Sequence, residues 1–179
     1  ELRCDSFPLN KFLPADSLGL LDLALQAGGS GFDPLRAQTR GNIRLQVNRA
    51  EFRGRDFGGV ELNANLEEGQ LSGRLSDRDE ALRLLLLVSG TLTERKQEVR
   101  LTGNVFDFDL AELGISPQKI GGSFALEAGA SASDAGSYTA RIALDSIEVR
   151  TRHRTDRIRP TSLSLSSDTT ATRAKLASG

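Results

Sequence analysis

The chain has 179 residues and a formal net charge of −1 at pH 7, without the basic surplus that a dedicated nucleic-acid binder carries. Its single cysteine excludes an intramolecular disulfide framework and any multi-cysteine zinc site, and its longest apolar run, residues 84–88, is far too short to span a bilayer as a helix. Methionine is absent, which predicts a segment of a longer chain, and aromatic residues make up only 5%, so a core or groove must be filled by Leu, Val, Ile and Ala.

In chain order, Pro8 to Leu18 carries Leu9, Phe12, Leu13 and Leu18, with Pro14 limiting any helix to about one turn. This predicts a short helical cap over residues 1–19. Period-two alternation, the signature of strands, then begins. Leu21, Leu23, Leu25 and Ala27 share one face before Gly28-Gly29-Ser30-Gly31 breaks the run. Ile43, Leu45 and Val47 repeat the pattern, as do Val60, Leu62, Ala64 and Leu66, which lead through a turn at Glu67-Glu68-Gly69-Gln70 to Leu71, Gly73 and Leu75. Leu82, Leu84, Leu86 and Val88 follow, then Val99, Leu101 and Val105. Asp109 to Leu113 reads as an aspartate N-cap and one short helical turn closed by Gly114. Phe124, Leu126, Ala128 and Ala130, then Ala140, Ile142 and Leu144, and finally Leu163 and Leu165 complete the strands. The expectation is one all-β domain over residues 1–179, an elongated curved sheet with one or two short helical turns. Its strands occupy residues 20–168, and residues 169–179 form a frayed tail.

An apolar-small-Gly tripeptide recurs at Leu71-Ser72-Gly73, Val88-Ser89-Gly90, Leu101-Thr102-Gly103 and Ile120-Gly121-Gly122. Glycine inside a strand marks a bulge, a bend or a close backbone approach, so these positions suit successive strands bent at similar heights. Leu85 and Leu87 are apolar on the face opposite Leu84 and Leu86, which predicts a strand covered on both sides.

Catalytic signatures are missing. Cys4 and His153 lie at opposite ends of the sequence, no serine sits in a strand-turn-helix elbow, and the Gly28 to Gly31 cluster is not followed by a helix or by Lys-Ser/Thr. Asp77, Asp79 and Glu80 form the densest acidic group, but it lacks the glycine and distal glutamate of a calcium loop and reads as a solvated turn. No metal and no cofactor are expected. Arg150, Arg152 and Arg154 alternate with Thr151, His153 and Thr155; on a strand, three guanidiniums would line one face, either to meet phosphate groups or an acidic partner, or simply as a solvated edge.

The order of Phe12-Leu13-Pro14, Leu18-Gly19-Leu20-Leu21, Gly31-Phe32-Asp33-Pro34, Gly41-Asn42-Ile43, Phe52-Arg53-Gly54, Glu68-Gly69-Gln70-Leu71 and Gly73-Arg74-Leu75-Ser76-Asp77, closing on Val105-Phe106-Asp107-Phe108-Asp109-Leu110-Ala111-Glu112-Leu113-Gly114, resembles the TamB-like branch of the AsmA-like proteins in its Bacteroidota form. The resemblance spans residues 10 to about 150. It implies a long chain anchored in the inner membrane and extending through the periplasm, with a β-taco sheet whose concave face is apolar. The implied function is non-enzymatic: phospholipid transport to the outer membrane and support of outer-membrane protein assembly, with acyl chains, outer-membrane proteins or a TamA-like protein as partners. On this reading the groove is lined by Leu45, Val47, Val60, Leu62, Leu66, Leu71, Leu75, Leu84, Leu86, Val88, Val99, Leu101, Phe124, Leu126, Ile142 and Leu144. From the residues alone, the same alternating face could instead close the core of a β-sandwich ligand-binding or adhesion module. An outer-membrane barrel fragment is disfavoured by the lack of aromatic girdles.

Overall fold

Residues 1–8, 11, 18–31, 33–52, 54–133, 136–168 and 171–179 are described in a computed structural model. Among these residues, thirteen strands form one antiparallel sheet: β1 (Leu2–Pro8), β2 (Leu18–Ser30), β3 (Arg40–Phe52), β4 (Arg55–Phe57), β5 (Val60–Glu67), β6 (Gln70–Arg78), β7 (Leu82–Leu92), β8 (Lys96–Asp109), β9 (Ile120–Ser133), β10 (Tyr138–Thr151), β11 (Thr155–Ile158), β12 (Thr161–Ser167) and β13 (Thr172–Ser178). β4 and β5 share one position beside β3, and β11 and β12 share another beside β10. Apart from these pairs, sequence order is spatial order, and the sheet stays open from β1 to β13 without closing into a barrel. Packing between strands follows the hydrogen-bonding order, so the layout is a single curved layer and not two facing sheets around a sealed core.

Turn chemistry fits this meander. Glu68 and Gly69 both have positive φ, 51° and 73°, and join β5 to β6 as a two-residue type I′ turn, whose twist matches that of the flanking strands. The turn at Asp109 forms as its sequence predicts. The Asp109 carboxylate accepts the N–H groups of Ala111 at 2.9 Å and Glu112 at 3.2 Å, and the Leu113 N–H donates to the Asp109 C=O at 2.9 Å. Gly114, with φ 69°, ends the turn: its N–H donates to the Ala111 C=O, and the Ile115 N–H donates to the Leu110 C=O, the two bonds of a Schellman motif.

A line of irregularities crosses the sheet at one height. Asn48 is unmatched on β3, because Val47 faces Leu23 and Arg49 faces Asp22. Gly58 and Gly59 part β4 from β5 opposite that point. Phe106 is extra on β8, between Val105 facing Leu84 and Asp107 facing Arg83. Ser146, with φ 51°, falls in the register shift of β10 against β9, and Arg159 and Pro160 part β11 from β12 beside it. Each extra residue adds local twist and bend, so the sheet turns along this line.

Beyond the line lies the most enclosed part of the molecule. The β8–β9 loop folds over the short β6–β7 connection, where the Asp109 N–H donates to the Ala81 C=O at 3.0 Å and Arg55 of β4 pairs with Glu112. Ala81 and Val105 are buried here at 3% and 8% exposure, alongside Ser76, Asp77, Gly121 and Gly122, and the rings of Phe108 and Phe124 meet edge to face at 6.2 Å.

Several sequence expectations are corrected. Of the helical cap expected over 1–19, residues 2–8 form strand β1 and 18–19 begin β2, whereas Lys11 is helical; residues 9, 10 and 12–17 lie outside the described residues. The tail expected to fray forms β13 against β12, because Leu176 and Ala174 extend the apolar alternation. Gly28, Gly29 and Ser30 do not break β2. Glycine is needed in the strand there, since a β-carbon on Gly29 would come within 2.5 Å of the Arg40 carbonyl oxygen.

Candidate functional site

Alternation and register together place every proposed groove residue on one face of the sheet, where they align in rows running across the strands. One row passes through Leu25, Leu45, Leu62, Leu75, Leu86, Gly103, Leu126 and Leu144. The next passes through Ala27, Ile43, Ala64, Gly73, Val88, Leu101, Ala128, Ile142, Leu163 and Leu176, from β2 to β13. A third joins Leu66, Leu71, Gly90, Val99, Ala130, Ala140, Leu165 and Ala174. A fourth holds Leu23, Val47 and Val60, and resumes at Leu84, Val105 and Phe124 after Asp77.

Strands about 4.8 Å apart and rows about 6.8 Å apart make the first three rows a strip on the order of 600 Å². That equals the upper end of the largest apolar patch an ordinary monomer exposes. Nothing among the described residues covers the strip: Ile43, Ile142 and Leu163 are 46%, 48% and 47% exposed, and the leucines between them are half-buried only by one another. Glycines punctuate it where strands approach closely. A β-carbon on Gly103 would overlap the Leu85 carbonyl oxygen, and one on Gly73 would press on Val88. Leu25, Ile43, Leu163, Leu165 and Leu176 belong to the same face and were legible from the same alternation; what sequence reasoning lacked was their register.

The opposite face is polar. Arg44 donates to Asn63 across β3 and β5 at 3.0 Å, and Arg100 pairs with Glu127 across β8 and β9 at 3.6 Å. Leu85 and Leu87 interrupt it, and the cover expected over them is absent among the described residues: Leu87 is 46% exposed, between Arg74 and Thr102. A shallow groove of about 620 Å³ on this face is floored by Gly129, Ser131, Ser164 and Ser166.

Members of both charged clusters are tied to neighbouring parts of the fold. Asp77 is buried, where a solvated turn was expected, at the end of β6 opposite Leu84 of β7. Burial pushes the Asp77 carboxyl above its ordinary range, partly offset by the Asp79 N–H donating to it at 2.9 Å. Asp79 in turn accepts the N–H groups of Ala81 at 2.8 Å and Gly58 at 3.2 Å, which ties β6–β7 to the β4–β5 break. Arg150, Arg152 and Arg154 do not line one strand face. β10 ends at Thr151, whose N–H donates to the Arg154 C=O at 2.8 Å, so Arg152 and His153 form a hairpin turn. Arg150 pairs with Asp107 on β8, and Arg154 with Asp156 at 2.8 Å. Cys4 lies on β1, the far edge of the sheet from His153. No group of His, Cys, Asp and Glu among the described residues is arranged to hold a metal ion.

Comparison with protein-family models, curated proteins and solved structures finds no match to this chain. The functional reading therefore stands on the geometry of the apolar face.

Proposed function

We propose that this chain is a non-catalytic lipid-binding segment whose apolar face carries phospholipid acyl chains, as part of a conduit through the periplasm toward the outer membrane. The observation that supports it is the uncovered strip of continuous aliphatic rows spanning the sheet. A fully buried CH₂ is stabilised by about 0.8 kcal/mol, and a chain covered on one side by roughly half that. Long acyl chains are thus held without any polar contact, and smooth aliphatic rows offer no fixed point at which they must stop. The resemblance to TamB-like proteins supports the same reading, including a parent anchored in the inner membrane and a contribution to outer-membrane protein assembly with a TamA-like partner.

Native mass spectrometry of the full chain incubated with phosphatidylethanolamine tests the proposal. Lipid adducts are expected, and replacing Leu62, Leu86, Leu101 and Leu126 together with asparagine should remove them. A chain that binds no phospholipid, or a quadruple variant that binds as well as the parent, would overturn it.

A further inference from the structure

We propose that the shallow groove on the polar face is a binding site for an acidic polysaccharide, whose anionic groups lie between Arg100, Arg141 and Lys175. Cross-strand register sets Arg100, Gly129, Arg141, Ser164 and Lys175 in one row over β8, β9, β10, β12 and β13. A cation thus stands on every second strand of this row, about 10 Å from the next, with a glycine or a serine between. Arg141 and Lys175 make no ion pair among the described residues, and Arg100 reaches Glu127 in the neighbouring row only at 3.6 Å, where both side chains are exposed. Gly129 is the residue that points to a ligand. Gly90, Gly103 and Gly122 are explained by packing, because a β-carbon on each would collide with a carbonyl oxygen of a neighbouring strand. At Gly129 the nearest atom would be the Val99 carbonyl oxygen at 3.8 Å, so the fold has room for a side chain there. A glycine inside a strand weakens it, and one that packing does not require marks the close approach of another molecule. Here the open space lies between two guanidiniums, on the floor of the groove of about 620 Å³.

Charge and hydroxyl groups set the chemistry of the occupant. Guanidinium and ammonium groups select carboxylate, sulfate or phosphate oxygens. A polysaccharide with one acidic group per disaccharide spaces its charges much as this row spaces its cations. Ser131, Thr139, Ser164 and Ser166 line the groove with hydroxyls that both donate and accept, as the hydroxyls of a sugar do. Ser131 and Thr139 bond to each other at 2.8 Å, which leaves each oxygen free to accept a further bond. An acidic peptide fits less well. β9, β10 and β12 are each hydrogen-bonded to a strand on both sides, so the groove offers no backbone edge along which a peptide could add. The groove lies on the face opposite the aliphatic strip, and the inference does not rest on lipid binding.

Isothermal titration of the full chain at low ionic strength compares three probes. One is a hyaluronan octasaccharide, which carries one carboxylate per disaccharide; the second is the same oligosaccharide with its carboxylates reduced to alcohols; the third is capped tetraglutamate. The octasaccharide should bind, less tightly as salt is added, and the other two should bind about tenfold less tightly than it does. Gly129→Ile, a good strand former that fills the space between Arg100 and Arg141, should lose about tenfold in affinity while keeping its stability in urea. Arg141→Gln should lose as much affinity through the missing charge. If Gly129→Ile fails to fold, Arg141→Gln decides alone. An octasaccharide that does not bind, a reduced form or a tetraglutamate that binds as tightly, or unchanged affinity in either folded variant would each overturn the proposal.

Discussion

Gly103 and Gly129 are both strand glycines in the middle of the sheet, yet they do opposite work. At Gly103 a β-carbon would overlap the Leu85 carbonyl oxygen, whereas at Gly129 the nearest atom would be the Val99 carbonyl oxygen at 3.8 Å, an ordinary contact. Gly103→Ala should therefore destabilise the chain by about 1–3 kcal/mol through overpacking. Gly129→Ala should be neutral or stabilise it by about 0.5 kcal/mol through lost unfolded-state freedom. Urea unfolding of the two variants compares them, and equal losses at both sites would show that close approach is not what selects glycine at Gly103. Asp77 supplies a residue-scale pH test. Burial raises its pKa in the folded state, so its favourable contribution is complete below the ordinary carboxylate range and is lost as pH rises through the folded value. Asp77→Asn keeps an oxygen for the Asp79 N–H and removes the titration. Relative to the parent, the variant should gain stability from about pH 4 to about pH 7; a constant difference across that range would dismiss burial as the cause.

At the scale of elements, the β8–β9 loop stands at the most enclosed part of the described sheet. Its turn depends on Gly114 at φ 69°, where alanine costs about 1 kcal/mol. Its tether, the Arg55–Glu112 pair, is solvent-exposed at both ends, so Glu112→Ala should cost less than about 1 kcal/mol, and less still in high salt. Both costs should appear in thermal unfolding. A Glu112→Ala loss larger than the Gly114→Ala loss would mean that the tether, and not the turn, positions the loop. Asp109, with its cap and following glycine, announces this turn in sequence, because an N-cap and a Schellman stop are both local. Its place beside the β6–β7 connection was not legible, since reaching a connection some thirty residues earlier depends on the pairing of β6, β7 and β8. The arginine run failed for a related reason. Alternation from Arg150 to Thr155 looks like a strand, but Thr151 and Arg154 close a turn on each other, and Arg150 finds Asp107 two strands away.

For the molecule as a whole, a single-layer sheet with one aliphatic face should behave as a half-covered object in water. At micromolar concentration the chain is expected to self-associate, and a mild non-ionic detergent should return it to a monomer by covering the strip, both read by sedimentation. The quadruple asparagine variant on Leu62, Leu86, Leu101 and Leu126 should stay monomeric without detergent. Association unchanged by detergent and by the variant would place the contact elsewhere.

Membership of the apolar face was determined by the sequence alone. Period two is a property of the extended backbone itself, so Leu45, Val88 or Ile142 could be assigned to a side without knowing any neighbour. The type I′ turn at Glu68-Gly69 and the capped turn at Asp109 were equally local. Tertiary structure decided how the faces are used. It set the register that turns alternation into continuous rows, the shared height of the bulges that bends them, and the absence of a second layer over them among the described residues. Those outcomes arise from pairings between distant segments, and a repeat of two residues carries no information about which strand lies beside which, or whether anything lies on top.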